Sequence, residues 1–187
     1  MGAPSSRPII GVSSCLLGQR VRYDGGHKRE AFVVEDLAVR FELLPICPEM
    51  AIGMGVPRPP LQLVLEADGI HARGVNDPDL DVTDRLLVFA RQTLPGLSHL
   101  CGYVFKARSP SCGVGSTPVL VPGHPSHEDS GLFAAALQAA FPLLPVEQED
   151  RLRDPALRDL FLERVYACEQ RLHSRQRDQE RDSGINP

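Results

Sequence analysis

The chain has 187 residues, a formal net charge of −4, 42% hydrophobic residues and 24% charged residues. That length can bury a real core in one domain, and the acidic balance gives no general pull toward nucleic acid, so DNA is not an expected partner. No apolar run approaches the roughly 20 residues of a membrane span, the first residues lack the apolar core of a signal peptide, and five cysteines at irregular spacing argue against a disulfide framework. The expectations are a cytoplasmic location, no membrane partner, and cysteines that serve as metal ligands or catalytic groups.

In chain order, Ile9 to Ser13 reads as a first strand that runs into Cys15. A polar loop follows from Leu16 to Lys28, where Gly25 and Gly26 mark a turn and Asp24, His27 and Lys28 supply ionisable groups near Cys15. The spacing of Phe32, Val33, Leu37 and Phe41 predicts a helix over Arg29–Arg40. Leu43 to Ile46 is a second strand, ending at Cys47. The stretch from Met50 to Pro60 is rich in glycine and proline, and the prolines after Arg58 fix an extended backbone that cannot join the centre of a sheet.

Leu61–Leu65 and Ile70–Ala72 read as a hairpin turning at Asp68-Gly69, and Asp81 as the cap of a helix from Val82 to about Thr93. Gly102 to Phe105 is a short buried strand. It runs into Lys106–Ser116, a small polar loop that holds Cys112. Gly113 and Gly115 are expected to leave bare backbone N–H groups beside Cys112, an environment that favours its thiolate. Thr117 to His127 reads as a loop with a short apolar piece, and its histidines, His124 and His127, as solvated.

An Ala-rich helix is predicted over Gly131–Phe141 and a last strand over Leu143–Val146. Asp154-Pro155 then opens a helix running to about Arg175. Strands alternating with helices give an α/β fold, a single domain with a mostly parallel sheet flanked by helices. The expected organisation is an α/β catalytic domain over residues 1–147, a helical extension over 148–175 packed on it, and a short disordered tail over 176–187.

Cys15, Cys47 and Cys112 each follow the carboxyl end of a predicted strand. If those strands are parallel in one sheet, the three cysteines converge on the edge where open α/β sheets bind ligands. Three thiolates suit a catalytic zinc with an open position, or an iron–sulfur cubane with one iron lacking a protein ligand. Two readings of other classes stand beside metal binding. One is a hydrolase or transferase with Cys112 as nucleophile and His27 as base. The other is a non-catalytic metal- or nucleotide-binding module, with the glycines of CGVGS cradling a phosphate.

The segments SSCLLGQRVRYDGGHKR (Ser13 to Arg29), LLPICPEMAIGMGVPRPP (Leu43 to Pro60), DVT (Asp81 to Thr83) and KARSPSCG (Lys106 to Gly113), in this order and spacing, resemble the DUF523 family of TudS-like thiouracil desulfurases. The resemblance covers roughly residues 8 to 147. It implies a [4Fe-4S] cluster on three cysteines, with Cys15, Cys47 and Cys112 as ligands and one open iron site. It also implies Glu49 and Ser109 as catalytic residues. Beside these, Asp24, His27 and Arg58 are expected as substrate-binding residues at the pocket rim. The implied reaction converts a thiolated nucleobase of the 2-thiouracil type to the oxo base with release of sulfide and no net redox change. The implied partner is a small thiolated nucleobase or nucleoside; tRNA is not expected without the additional domain that longer relatives carry. Cys101 and Cys168 match no motif and are expected to be packing residues.

Overall fold

The computed structural model describes residues 7–183. In chain order the strands are β1 (Ile9–Ser13), β2 (Glu42–Ile46), β3 (Leu61–Glu66), β4 (Gly69–Gly74), β5 (Gly102–Phe105), β6 (Thr117–Leu120), β7 (His127–Asp129) and β8 (Val146–Gln148). The helices are α1 (Ala38–Arg40), which continues a wider π-helical turn over Phe32–Leu37, α2 (Pro48–Ala51), α3 (Thr83–Thr93), α4 (Leu132–Ala140) and α5 (Pro155–Ser183).

The first sheet has the order β2-β1-β5-β8, and all its pairs are parallel. Its two central strands are the near-continuous apolar runs IIGVS and GYVF, buried almost throughout, as strands covered on both faces must be. β2 lies at an edge, where its Pro45 leaves no central ladder bond unmade.

The predicted hairpin forms as β3–β4, but Glu66 pairs with Gly69, so its two-residue turn is Ala67-Asp68 rather than Asp68-Gly69. It belongs to a second, mixed sheet of order β4-β3-β6-β7, in which β6 runs parallel to β3. The alternation of buried and exposed residues along β6 suits a half-covered sheet.

The larger core joins Ile10, Val12, Val33, Leu37, Tyr103, Phe105, Phe133 and the α5 face of Phe161, Leu162, Val165 and Cys168. A smaller one gathers Leu63, Ala72, Val82, Leu86 and Val119 beneath the second sheet. α3 and α4 supply residues to both clusters and so tie the sheets together. Each large apolar side chain buried this way contributes roughly 1.5–3 kcal/mol. Gly11 is required by one such contact, since a Cβ there would stand 2.2 Å from the Tyr103 ring.

Several boundaries differ from the sequence reading. The first helical segment begins at Ala31 rather than Arg29. The last strand falls at Val146–Gln148, because it pairs with β5 through Tyr103–Phe105 and not through the preceding Leu143-Leu144. His127 opens the short strand β7 instead of lying in a loop. Leu160 of α5, despite its apolar side chain, is 51% exposed. α5 continues to Ser183, so residues 176–183 extend the helix rather than forming the expected tail; residues 184–187 lie outside the described part. No proline or glycine interrupts that segment before Gly184, and arginine, glutamine and glutamate are good helix formers. Among the described residues no helix is long and apolar enough to cross a membrane.

Candidate active site

The site is built at the carboxyl ends of the parallel strands. Ser13 of β1 pairs in register with Ile46 of β2, and Val12 with Val104 of β5, so the three strand ends are level. Cys15 lies in the single 3-10 turn that follows β1, closed by Gly18 in the left-handed region at φ 88°. Cys47 is the residue after β2 and precedes α2; Pro48 keeps it extended.

Cys112 is seven residues beyond β5 and reaches the same edge because its loop folds back. The Ser109 carbonyl accepts the N–H groups of Cys112 at 3.1 Å and Gly113 at 2.8 Å. The first N–H groups of α4, which have no partner within the helix, donate outward to the loop. Leu132 donates to the Pro110 carbonyl at 3.0 Å, and Phe133 and Ala134 to the Ser111 carbonyl at 3.0 and 3.1 Å. Gly131 permits this seating, since a Cβ there would stand 2.5 Å from the Ser111 backbone.

Cys15, Cys47, Cys112, Glu49, Arg58 and Ser109 line one cavity of about 190 Å³, together with Tyr23 and Lys106 among others. All five cysteines are free thiols. Among the described residues, the group whose ligand atoms all come within 4.8 Å of one another is Glu66, Asp68 and His71, so the three cavity cysteines stand more widely than that. In that group, of which Asp68 alone is exposed, His71 and Glu66 are already engaged in ion pairs with Asp68, Asp81 and Arg73.

The thiolate expected at Cys112 is not favoured. Its surroundings bury it, and this desolvation, with the Glu49 charge, outweighs the Ser13 hydrogen bond and pushes the thiol well above its ordinary range. The N–H groups expected to stabilise a thiolate are spent elsewhere: those of Cys112 and Gly113 on Ser109, and that of Gly115 on the Ser130 hydroxyl at 3.0 Å. Burial, then the neighbouring Cys47, pushes Cys15 up to about 11. Burial raises Cys47 as well, and its sulfur lies 4.0 Å from the Val21 carbonyl. The thiols are therefore protonated near neutrality unless a metal centre draws the protons off.

Both oxygens of Glu49 are engaged. Oε2 pairs with Arg58 and Oε1 accepts the Ser111 hydroxyl at 2.9 Å. Arg58 is 7% exposed, and its Nη1 donates to the carbonyls of Val21 at 2.9 Å and Gly55 at 3.0 Å. It is a buried crosspiece rather than a rim residue. The Ser109 hydroxyl oxygen accepts the N–H groups of Ser111 at 3.3 Å and Cys112 at 3.2 Å, which leaves its own proton to donate.

Asp24 and His27 are not brought to the cavity wall. Both are exposed and serve local turns: Asp24 Oδ1 accepts the Gly26 N–H at 2.9 Å, and His27 Nδ1 the Arg29 N–H at 3.1 Å. The sequence reading missed Ser111, whose only signal was its place between Ser109 and Cys112. It also missed the pair of Lys106 with the buried Glu149, which joins the end of β5 to the residue after β8.

The family model described as 2-thiouracil desulfurase matches residues 10–149. The chain belongs to the 2-thiouracil desulfurase family. It is 31% identical over 113 residues to YbbK, an uncharacterized protein of Bacillus subtilis (strain 168), a match covering 57% of this chain and 74% of the relative. Among solved structures it is similar to TudS, a [4Fe-4S]-dependent thiouracil desulfidase. The two are 31% identical with a TM-score of 0.60, over 82% of this chain and 97% of that one.

In this desulfurase-family chain the other two cysteines stand at the far end of the sheet. Cys101 precedes β5 and donates its N–H to Ile9, while Cys168 on α5 lies 3.9 Å from the Leu100 carbonyl. The two thiols are neighbours, and the interaction of Cys101 with Cys168, with help from Arg171, holds Cys168 below its ordinary range while Cys101 is pushed up.

Proposed function

We propose that the chain catalyses the iron–sulfur-dependent, non-redox desulfuration of a thiolated nucleobase of the 2-thiouracil type: thiouracil and water give uracil and hydrogen sulfide. The observation that carries this reading is the meeting of three free cysteines from three strand ends in one cavity with Glu49 and Ser109.

The donor set fits a [4Fe-4S] cluster. Cys15, Cys47 and Cys112 would hold it, and three thiolates meeting in one cavity leave one iron of a cubane without a protein ligand. A second feature points the same way. The Tyr103 hydroxyl is fully buried with no hydrogen-bond partner. After burial itself, the negative charge that Cys112, Cys47 and Cys15 carry once ionised is what acts on it. A buried donor left unpaired needs an acceptor, and a sulfur-rich cluster on those cysteines supplies one.

When bound, the cluster supplies an open, thiophilic Lewis-acid site for the substrate's sulfur. The protein does the rest. Glu49 accepts a proton from the attacking water and returns one to the ring, general acid–base help typically worth ~10²–10⁴ in rate. Ser109 donates its free hydroxyl proton to the ring and fixes its orientation. The small cavity suits a free base or compact nucleoside.

A thiol-nucleophile mechanism has less support, since its base, His27, is outside the cavity and Cys112 resists ionisation. The test is anaerobic reconstitution with iron and sulfide, followed by iron analysis, an absorption spectrum and assay of sulfide released from 2-thiouracil. The expected result is a coloured protein that yields uracil and sulfide together. A colourless, iron-free protein after reconstitution would overturn the reading.

A further inference from the structure

We propose that Arg58 is a positioning residue that sets the Glu49 carboxylate for catalysis and does not itself bind substrate; this rests on the desulfuration reading above. Arg58 sits at a junction of three segments. Its backbone N–H donates to Tyr23 at 3.0 Å, and its Nη1 to Val21 at 2.9 Å and Gly55 at 3.0 Å, while Nη2 holds Glu49 Oε2. The loop after β1, the Gly/Pro stretch and α2 are thereby fixed by one guanidinium. Only 3% of its side chain is accessible, against 16% for Glu49, so the carboxylate and not the cation faces the opening.

The planar fork explains why arginine stands here. It serves two carbonyls and a carboxylate at once, which a lysine ammonium on a single flexible stem does poorly. The Val21 carbonyl that it holds is also the acceptor facing the Cys47 thiol. That carbonyl thus keeps a donor that does not depend on the Cys47 proton. The cation also offsets the negative charge that Glu49 places beside Cys47 and Cys112. Arg58 thus lets a carboxylate and metal-bound thiolates share a small space.

The test is a double-variant cycle on Arg58→Gln and Glu49→Gln. In the reconstituted enzyme, each single variant lowers kcat, by about 10²-fold for Glu49→Gln, with KM changed less than about 3-fold, the pattern of a lost transition-state interaction. Because Arg58 acts through Glu49, adding Arg58→Gln to Glu49→Gln costs less than about 2-fold more. Arg58→Lys restores part of the kcat lost in Arg58→Gln.

The cluster-free chains supply a second readout by urea unfolding. Arg58→Gln strands a partly buried carboxylate, so the double variant unfolds at higher urea than Arg58→Gln alone. A raised KM with unchanged kcat, rate losses that multiply, or a double variant no more stable than Arg58→Gln would overturn the assignment. If Arg58→Gln does not fold, Arg58→Lys enters the same cycle and must show the same non-additivity. Wild-type enzyme that binds no iron would instead count against the desulfuration reading, and the unfolding cycle would still decide the clamp.

Discussion

The hydroxyl of Ser111 donates to Oε1 of Glu49 at 2.9 Å, joining residues 62 positions apart. The bond links the loop that carries Cys112 to the helix that follows Cys47. Ser111→Ala keeps the Arg58 contact but frees the carboxylate to turn. Hydrogen bonds to charged groups are worth about 1.5–3 kcal/mol, so kcat for 2-thiouracil falls roughly 10-fold while iron content is unchanged. Steady-state sulfide release and an iron assay on the same sample check both halves.

The cysteines divide into two sets with different outcomes. Cys15→Ala, Cys47→Ala and Cys112→Ala each lose the iron and its colour after reconstitution, because each removes a ligand from the shared cavity. Cys101→Ala and Cys168→Ala keep full iron content, since both residues lie outside the shared cavity, at the amino ends of the strands; they cost about 1 kcal/mol in packing. Iron retained in any of the first three would remove that residue from the ligand set.

Tyr103→Phe deletes a buried hydroxyl with no partner in the protein. In the cluster-free chain this removes a penalty of about 1–3 kcal/mol and raises the urea midpoint. In the loaded protein the same change removes a donor to the cluster and speeds iron release. Opposite signs in the two states are the expected result. A gain of equal size in both states would mean that the hydroxyl never meets the cluster.

Gly131→Ala places a methyl group 2.5–2.6 Å from the backbone of Ser111 and Cys112 and from the Ser109 carbonyl. Overpacking of this kind costs about 1–3 kcal/mol, and the movable partner is the loop, not the helix. The variant loses stability by urea unfolding and binds less iron, although it changes no ligand and no catalytic side chain.

The junction of hairpin and α3 gives a pH signature. Asp81 accepts the Thr83 N–H at 2.8 Å and pairs with His71 at 2.9 Å and Arg73 at 3.2 Å. Partial burial raises its carboxyl, but the hydrogen bonds from Thr83 and His71 pull harder and hold it at about 2. Its stabilising contribution is full above the ordinary 3.8 and is lost as pH falls through 2. His71 is raised above 6.5, first by its bond to Asp81, so its contribution is full below 6.5 and is lost as pH rises through the raised value. Asp81→Asn keeps an oxygen to accept the Thr83 N–H but loses the charge that faces His71 and Arg73, so it costs most stability near pH 5–6, where both partners are charged. The cost is smaller near pH 9, and smallest near pH 2. Urea midpoints of both chains at the three pH values check the order.

Much of the frame is local and was legible in the residues. Ile9–Ser13 and Gly102–Phe105 are apolar runs bounded by polar turns, and they are strands with the predicted bounds. The hairpin of Leu61–Glu66 with Gly69–Gly74, its turn one residue earlier than predicted, and the helix after Gly131 follow from turn chemistry and composition. The position of each cavity cysteine after a strand was enough to predict their meeting, once the strands were parallel. What the residues alone did not decide depends on partners distant in sequence. Whether β6 pairs with β3 rather than β5 is settled by which apolar face each strand can cover, not by the strand's own pattern. Arg58 read as a rim residue because nothing local marks a guanidinium as buried; Val21, Gly55 and Glu49 close around it only in the fold. Cys112 read as a thiolate because its neighbours are small and polar. The tertiary structure spends those polar groups on one another and on α4, and the desolvation that follows keeps the proton on sulfur.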